Sequence, residues 1–413
     1  MRVGFGKRDI TPEPPFPLAG FASRKERTVE RVRDPLFARA LAFSDGERTA
    51  AVASVDVLLV TPEVRLAVEG RLAGLAPGLA GLLVSATHTH SSFGGYWIKP
   101  SAALFLGAYR PALFDRLVSG VAAAVADAVA DLAPAVLTIG EAATEGLNYN
   151  RRHRDGAIDR ARGVVTATRA RDVVRLITFG AHPVVVAFRD TPAASSDYPG
   201  ELIRSFEAEG EKAIFVVGPV GGVNVLYPEG PMDVDVHLAL LGRLLRESAD
   251  RAIAEARPVG GSGVAFAAGE TPVRVVLPRL FTDDKAWLDA LAVPLRLWMR
   301  RFGRGGLDEG ATAQVPVLRA GDLVLPGFPA DLGAGVGMAV KELIRGRGLR
   351  PGCVASQTGG YVGYVHLPPE YGRFEWQDKS ALWMNVYENG MAFAGRAMGE
   401  QLLAAFGDAL ARV

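Results

Sequence analysis

Short apolar runs separated by helix-length stretches recur along the whole chain, and this alternation constrains the fold more than any other feature. Val3 to Ile10, Leu36 to Phe43, Thr49 to Leu59, Leu82-Leu83-Val84, Leu137 to Glu141, Val173 to Gly180, Ala213 to Val217, Gly263 to Val276 and Leu323 to Pro326 read as strands. Between them lie helical patterns. Thr61-Pro62-Glu63 caps one that runs to about Leu72, and Arg110-Pro111 opens another through Leu132. Others cover Glu201 to Ala208, Met232 to Ala256, Leu332 to Arg345 and about Met384 to Ala405. Asp45-Gly46 signals a hairpin, so at least one strand pair is antiparallel. The expectation is an α/β fold, a mixed sheet flanked by helices. At roughly 150 residues per domain, 413 residues leave room for two or three domains. Because no repeat period and no low-complexity linker divides them, we expect one compact domain over 1–413.

A net charge of +1 gives no basis for a nucleic-acid partner. The single cysteine, Cys353, excludes an intrachain disulfide and fits a reducing compartment. The N-terminus shows no apolar signal segment, and the alanine-rich run Val118 to Val136 carries Asp127 and Asp131, as a soluble helix does. The expected location is cytoplasmic. Nothing in the sequence sets an oligomeric state. Phe281 to Phe302, within a helical excursion at about 281–304, reads as a basic amphipathic helix. Such a helix covers a core, or less often a cleft or a membrane surface.

Of six histidines, His88 and His90 stand one residue apart where the Leu82-Leu83-Val84 strand gives way to a serine- and glycine-rich loop. In an extended backbone both rings share a face, which suits a divalent metal such as zinc; two hydrogen-bonded loop histidines fit the same spacing. His182 ends another strand and is held extended by Pro183. Asp56 interrupts an apolar strand, where a local partner is the usual reason and a metal the rarer one. Asp197 reads as a helix cap. Arg151 sits in a cationic loop, 147–156, that is a solvated charge run or a recognition loop. Gly218-Pro219-Val220-Gly221-Gly222 resembles a phosphate cradle only weakly, since it lacks the lysine and hydroxyl pair.

Along most of its length the sequence resembles the neutral/alkaline non-lysosomal ceramidase family, zinc amidases that cleave an N-acyl bond. The resemblance is carried by 3–12 with 18–22, by 34–41 with Ser54-Val55-Asp56, and most specifically by Thr87-His88-Thr89-His90-Ser91 through Gly94-Gly95-Tyr96. It continues in Asn150-Arg151, in Gly180-Ala181-His182-Pro183 with Ser196-Asp197 and Gly200, and in Gly359-Gly360-Tyr361-Val362-Gly363-Tyr364. It implies that His88 and His182 hold Zn2+ and that Tyr364 reaches the metal. It also implies that His90 meets the attacking water or the oxyanion, and that Arg151 holds the polar part of an acyl-amide or ester substrate.

The sequence departs from the family at three places. The family's glutamate ligand follows Pro-Gly, but Phe328 follows Pro326-Gly327 here, leaving Asp331 as a substitute one turn on. The serine and the aspartate of the glycine-rich turn correspond to Gly218 and Gly222. With the sequence ending at Val413, the expectation is a chain without the immunoglobulin-like domain of the long ceramidases. The expectation is a diverged zinc hydrolase of linear amides or esters whose substrate is not ceramide. The alternative is an inactive, ligand-binding relative.

Overall fold

The computed structural model describes residues 1–21, 27–144, 146–190, 192–226, 233–274, 311–372 and 378–413. The expected helix Phe281 to Phe302 lies outside them. The alternation of strands and helices is realised as an α/β architecture around two main sheets. In the larger sheet the strands run in the spatial order Lys212–Val217, Val173–Phe179, Ala161–Arg169, Ala133–Ala143, Arg2–Asp9, Phe37–Ser44, Thr49–Val55 and Leu79–Ala86. The outermost pair at each end is parallel and the middle is antiparallel. Each parallel pair has a helix in its crossover, Asp197–Glu207 at one end and Pro62–Leu75 at the other. The second helix starts as its sequence dictates. Pro62 occupies the first turn, the Thr61 hydroxyl accepts from Val64 N, and Val64, Val68 and Leu72 form the buried face.

The two ends of this sheet approach each other. Ser54 Oγ donates to the Phe215 carbonyl across the fold. The segment 355–359 spans what is left of the gap. Ser356 N donates to Val217 O (3.0 Å), Ala86 N to Gln357 O (3.1 Å) and Gly359 N to Val84 O (2.9 Å). Two strand ends far apart in sheet order, those leading to His88 and to His182, are thereby brought side by side.

The smaller sheet orders Val264–Pro272, Thr312–Ala320, Leu323–Pro326 and Arg350–Pro351. Its apolar face packs with the helices Ala334–Arg345 and Met398–Leu410 in one buried cluster that includes Val315, Val317, Val336 and Phe406. The last expected helix, Met384 to Ala405, is two helices, Lys379–Gly390 and Met398–Leu410. The first starts earlier because Asp378 caps it, accepting from Ser380 N and Ala381 N. Between the two helices Gly395 adopts φ 82°, which a continuing helix forbids. Among the described residues no helix is long and apolar enough to cross a membrane.

Candidate metal centre

His88 does not lie in an extended strand. The strand ends at Ala86, and His88 takes the left-handed conformation at φ 67°, sparsely populated for a residue with a Cβ. The shared-face argument for His88 and His90 therefore fails. The rings converge through this turn instead, and their Nε2 atoms are 3.3 Å apart. Gln357, whose carbonyl receives Ala86 N, is also left-handed at φ 54°.

Each of the two outer histidines has its tautomer set by a backbone carbonyl. His88 Nδ1 is 2.7 Å from Leu58 O, and His182 Nδ1 is 2.8 Å from Val223 O. A carbonyl only accepts, so Nδ1 carries the proton in both rings and Nε2 presents a lone pair. Burial, then the charge of Arg151, hold the His182 imidazole well below its ordinary pKa, so it stays neutral.

Asp331 completes the cluster. Its Oδ1 lies 3.1 Å from His88 Nε2 and 3.6 Å from His182 Nε2. Its Oδ2 accepts the Tyr361 hydroxyl at 2.8 Å, while Oδ1 accepts no hydrogen bond. Asp331 is 1% exposed, so water is not the default partner. Two imidazole lone pairs and a carboxylate oxygen thus face one another in a buried space. The ligand atoms of His88, His90 and His182 lie within 4.8 Å of one another. The buried carboxylate oxygen lacks a donor of its own, and the imidazole and carboxylate set suits a divalent metal.

Tyr364 and Arg151 form the neighbouring wall. Tyr364 OH is 3.2 Å from His182 Nε2 and accepts from Arg151 Nη2 at 3.0 Å. Burial, then the Asp331 carboxylate, push the Tyr364 phenol well above its usual pKa. Arg151 is not a solvated charge. Its Nε donates to Glu388 Oε1 (2.7 Å) and its Nη1 to Asn224 Oδ1 (3.1 Å). Burial disfavours its charge, but the Glu388 carboxylate outweighs that and raises its pKa. Glu388 in turn sits at about 2. Burial acts to raise it, and Arg151, the His366 hydrogen bond and Arg152 outweigh that. His366 Nε2 is 3.0 Å from Glu388 Oε2, and Arg152 donates to Asn385 and Asn389 on the same helix.

Asp331 reaches the site and Phe328 does not. Phe328 is fully buried in the apolar cluster of the smaller sheet, with its ring 6.0 Å from Phe406. The glycine-rich turn is no phosphate cradle. It pairs Val223–Val225 with Asn148–Asn150 and lies directly against the Asp331 segment. A Cβ at Gly221 would stand 2.6 Å from the Asp331 carbonyl oxygen, and one at Gly218 would stand 3.1 Å from Gly180 N. Close backbone approach therefore accounts for glycine at both positions. Asp56 has the local partner expected of it. Its Oδ2 accepts from Arg39 at 3.0 Å and from Phe37 N at 2.8 Å. Asp197 accepts from Tyr198 N and Val186 N.

Comparison with known proteins agrees with this architecture. Residues 1–155 match the model of the neutral/alkaline non-lysosomal ceramidase N-terminal domain. The chain is 30% identical over 162 residues to the neutral ceramidase of Mycobacterium tuberculosis. It is 28% identical over 156 residues to that of Pseudomonas aeruginosa. Over its N-terminal part the chain is similar in sequence to the neutral ceramidases. These aligned stretches make up 37% and 36% of this chain but only 25% and 23% of the two relatives, so about a quarter of each curated relative is spanned. The fold likeness reaches further. The crystal structure of Pseudomonas aeruginosa neutral ceramidase matches 97% of this chain and 74% of its own, with a TM-score of 0.76 at 20% identity. A ceramidase complexed with C2 matches 97% of this chain and 75% of its own, with a TM-score of 0.75 at 19% identity. At such identities the likeness establishes the fold.

Proposed function

We propose that the chain is a zinc-dependent hydrolase of amide or ester bonds, with His88, His182 and Asp331 as metal ligands and Tyr364 at the metal's edge. The observation that carries this reading is the buried convergence of His88 Nε2, His182 Nε2 and Asp331 Oδ1, of which the carboxylate oxygen accepts no hydrogen bond. Zinc held there would supply Lewis acidity toward a carbonyl oxygen and a water nucleophile at neutral pH. The chain's own groups do the rest. Arg151, held by Glu388 and Asn224, keeps a guanidinium Nη2 at the cluster's edge, 3.4 Å from His182 Nε2, where it binds the substrate's polar group. His90, with Nε2 3.3 Å from that of His88, is the base that moves a proton between the nucleophile and the leaving group. Its ring packs against Phe21 at 4.6 Å, which limits its rotation. The relatives' name points to ceramide, but Phe328 and Gly218 depart from their pattern, and we propose a different N-acyl substrate. The single buried cysteine, Cys353, suits a reducing compartment such as the cytoplasm.

The test is metal content together with hydrolysis of an amide and ester panel. The expected result is about one zinc per chain, with turnover lost on chelation, restored by zinc and absent in His88→Ala. Purified protein that takes up no zinc contradicts the reading. A second reading, an inactive ligand-binding relative, is favoured by the glycine at position 218. It requires zinc binding without turnover, and a rate abolished by His88→Ala rejects it.

A further inference from the structure

Two chambers of very different size meet at the metal cluster. Phe21, His90, Tyr364 and Tyr387 line both. The inner chamber reaches His88 and Asp331 and is otherwise walled by side chains such as Leu58, Trp97, Phe105, Leu106, Met391 and Phe393. Its volume is about 40 Å3. The outer chamber, which reaches Arg151, His182 and Asn224, has a volume of about 1020 Å3 and a polar, partly charged rim that includes Asp378 and Ser380. A cavity of roughly 150 Å3 is needed to hold a benzene ring, so the inner chamber admits a group of only two or three carbon atoms. The outer one is at the upper end of the range for whole small-molecule sites, roughly 300–1000 Å3.

We propose that the enzyme is specific for short N-acyl groups, acetyl or propionyl, carried on a larger polar amine. This rests on the hydrolase reading above. The acyl tail is hydrocarbon and loses nothing in a chamber walled by carbon. The amine half gains a proton on leaving and is charged, which an apolar chamber penalises and the open polar one does not. The long acyl chain of a ceramide overfills the inner chamber. Trp97 (5% exposed) and Phe393 (1% exposed) sit in the packed interior and do not move aside without cost. Phe105 is a half-buried wall residue without a polar group and so the one to change.

The experiment uses the zinc-loaded full chain and one hydroxylated aliphatic amine carrying acetyl, propionyl, butyryl or octanoyl groups, with the released amine detected by a fluorogenic amine reagent. Once the chamber is full, kcat/KM is expected to fall on the order of 10-fold or more per added carbon. Phe105→Ala is expected to move the optimum to a longer chain with zinc content unchanged. Calorimetric titration with acetate and octanoate gives the same preference without turnover. Octanoyl cleaved as well as acetyl, or octanoate bound as tightly as acetate, overturns the short-acyl inference and leaves the hydrolase reading standing. Cleavage of no member of the series while the amide and ester panel is turned over overturns the short-acyl inference alone, and turnover of neither removes both.

Discussion

Two buried polar clusters touch each other in this molecule, and they differ in how they are satisfied. Around Glu388 every charge has an opposite. Arg151 binds Oε1, His366 lies at Oε2, and Arg152 is held by Asn385 and Asn389. Around Asp331 the match is incomplete. Oδ1 faces the lone pairs of His88 and His182, and among the described residues the only donor to the carboxylate is Tyr361, on the other oxygen. The first cluster is complete within the chain, so its physical effect is to fix Arg151 against the helix Lys379–Gly390. The second leaves Asp331 Oδ1 without a donor, and on the function proposed above a cation completes it. A cluster that satisfies itself positions residues, whereas one that does not is built for something brought from outside.

Substitutions can break this contrast, and the largest effect is expected at the unsatisfied cluster. His182→Ala removes a ligand and should abolish zinc retention and any metal-dependent hydrolysis, a loss exceeding the roughly 10–100-fold that changes behind the ligands cost. Metal analysis after gel filtration checks it. Glu388→Gln should act in the opposite manner. Zinc content stays near one per chain, while stability drops by about 3–5 kcal/mol because Arg151 keeps a buried charge without its partner. Urea unfolding reads that loss.

The same carboxylate sets an acid limit. Its folded pKa of about 2 lies below the unfolded value of about 4.3, so its contribution is complete above pH 4.3 and is lost as the pH falls through about 2. Unfolding free energy measured across that window should fall less steeply in Glu388→Gln than in the wild type. Tyr361→Phe is the smallest change. It removes the hydrogen bond that orients Asp331 and should weaken zinc binding by about 10-fold. A chelator competition that finds no change would show that Asp331 needs no orientation from Tyr361.

Strand ends and their histidines were legible in the sequence because periodicity and turn chemistry are local. His88, His90, His182, Arg151 and Tyr364 do come together. Their meeting was not legible from periodicity, since it depends on the curling of the large sheet and on the bridge at 355–359, both of which are long-range. At His88 strand alternation predicts a shared face with His90, whereas the structure brings the two rings together through a left-handed turn. Asp331 was visible as a carboxylate one turn beyond Phe328. Its reach depends on pairing between Asp331–Leu332 and Tyr364–Val365, which no local pattern encodes. Glu388 gave no signal, because a glutamate in a helical pattern reads as a solvated face, and only the packed structure shows it fully buried. The break after Gly390 could have been read from Gly390 and Gly395, which a continuous helix tolerates poorly.

The central claim is that Asp331 takes the place of the family's missing glutamate at the metal. Zinc-edge X-ray absorption on the full chain loaded with one equivalent of zinc tests it directly, with Asp331→Asn alongside. The expected wild-type spectrum shows imidazole nitrogen and carboxylate oxygen at about 2.0–2.2 Å, and the variant loses an oxygen ligand or the zinc itself. A wild-type chain that retains no zinc, or a spectrum unchanged by Asp331→Asn, contradicts the account.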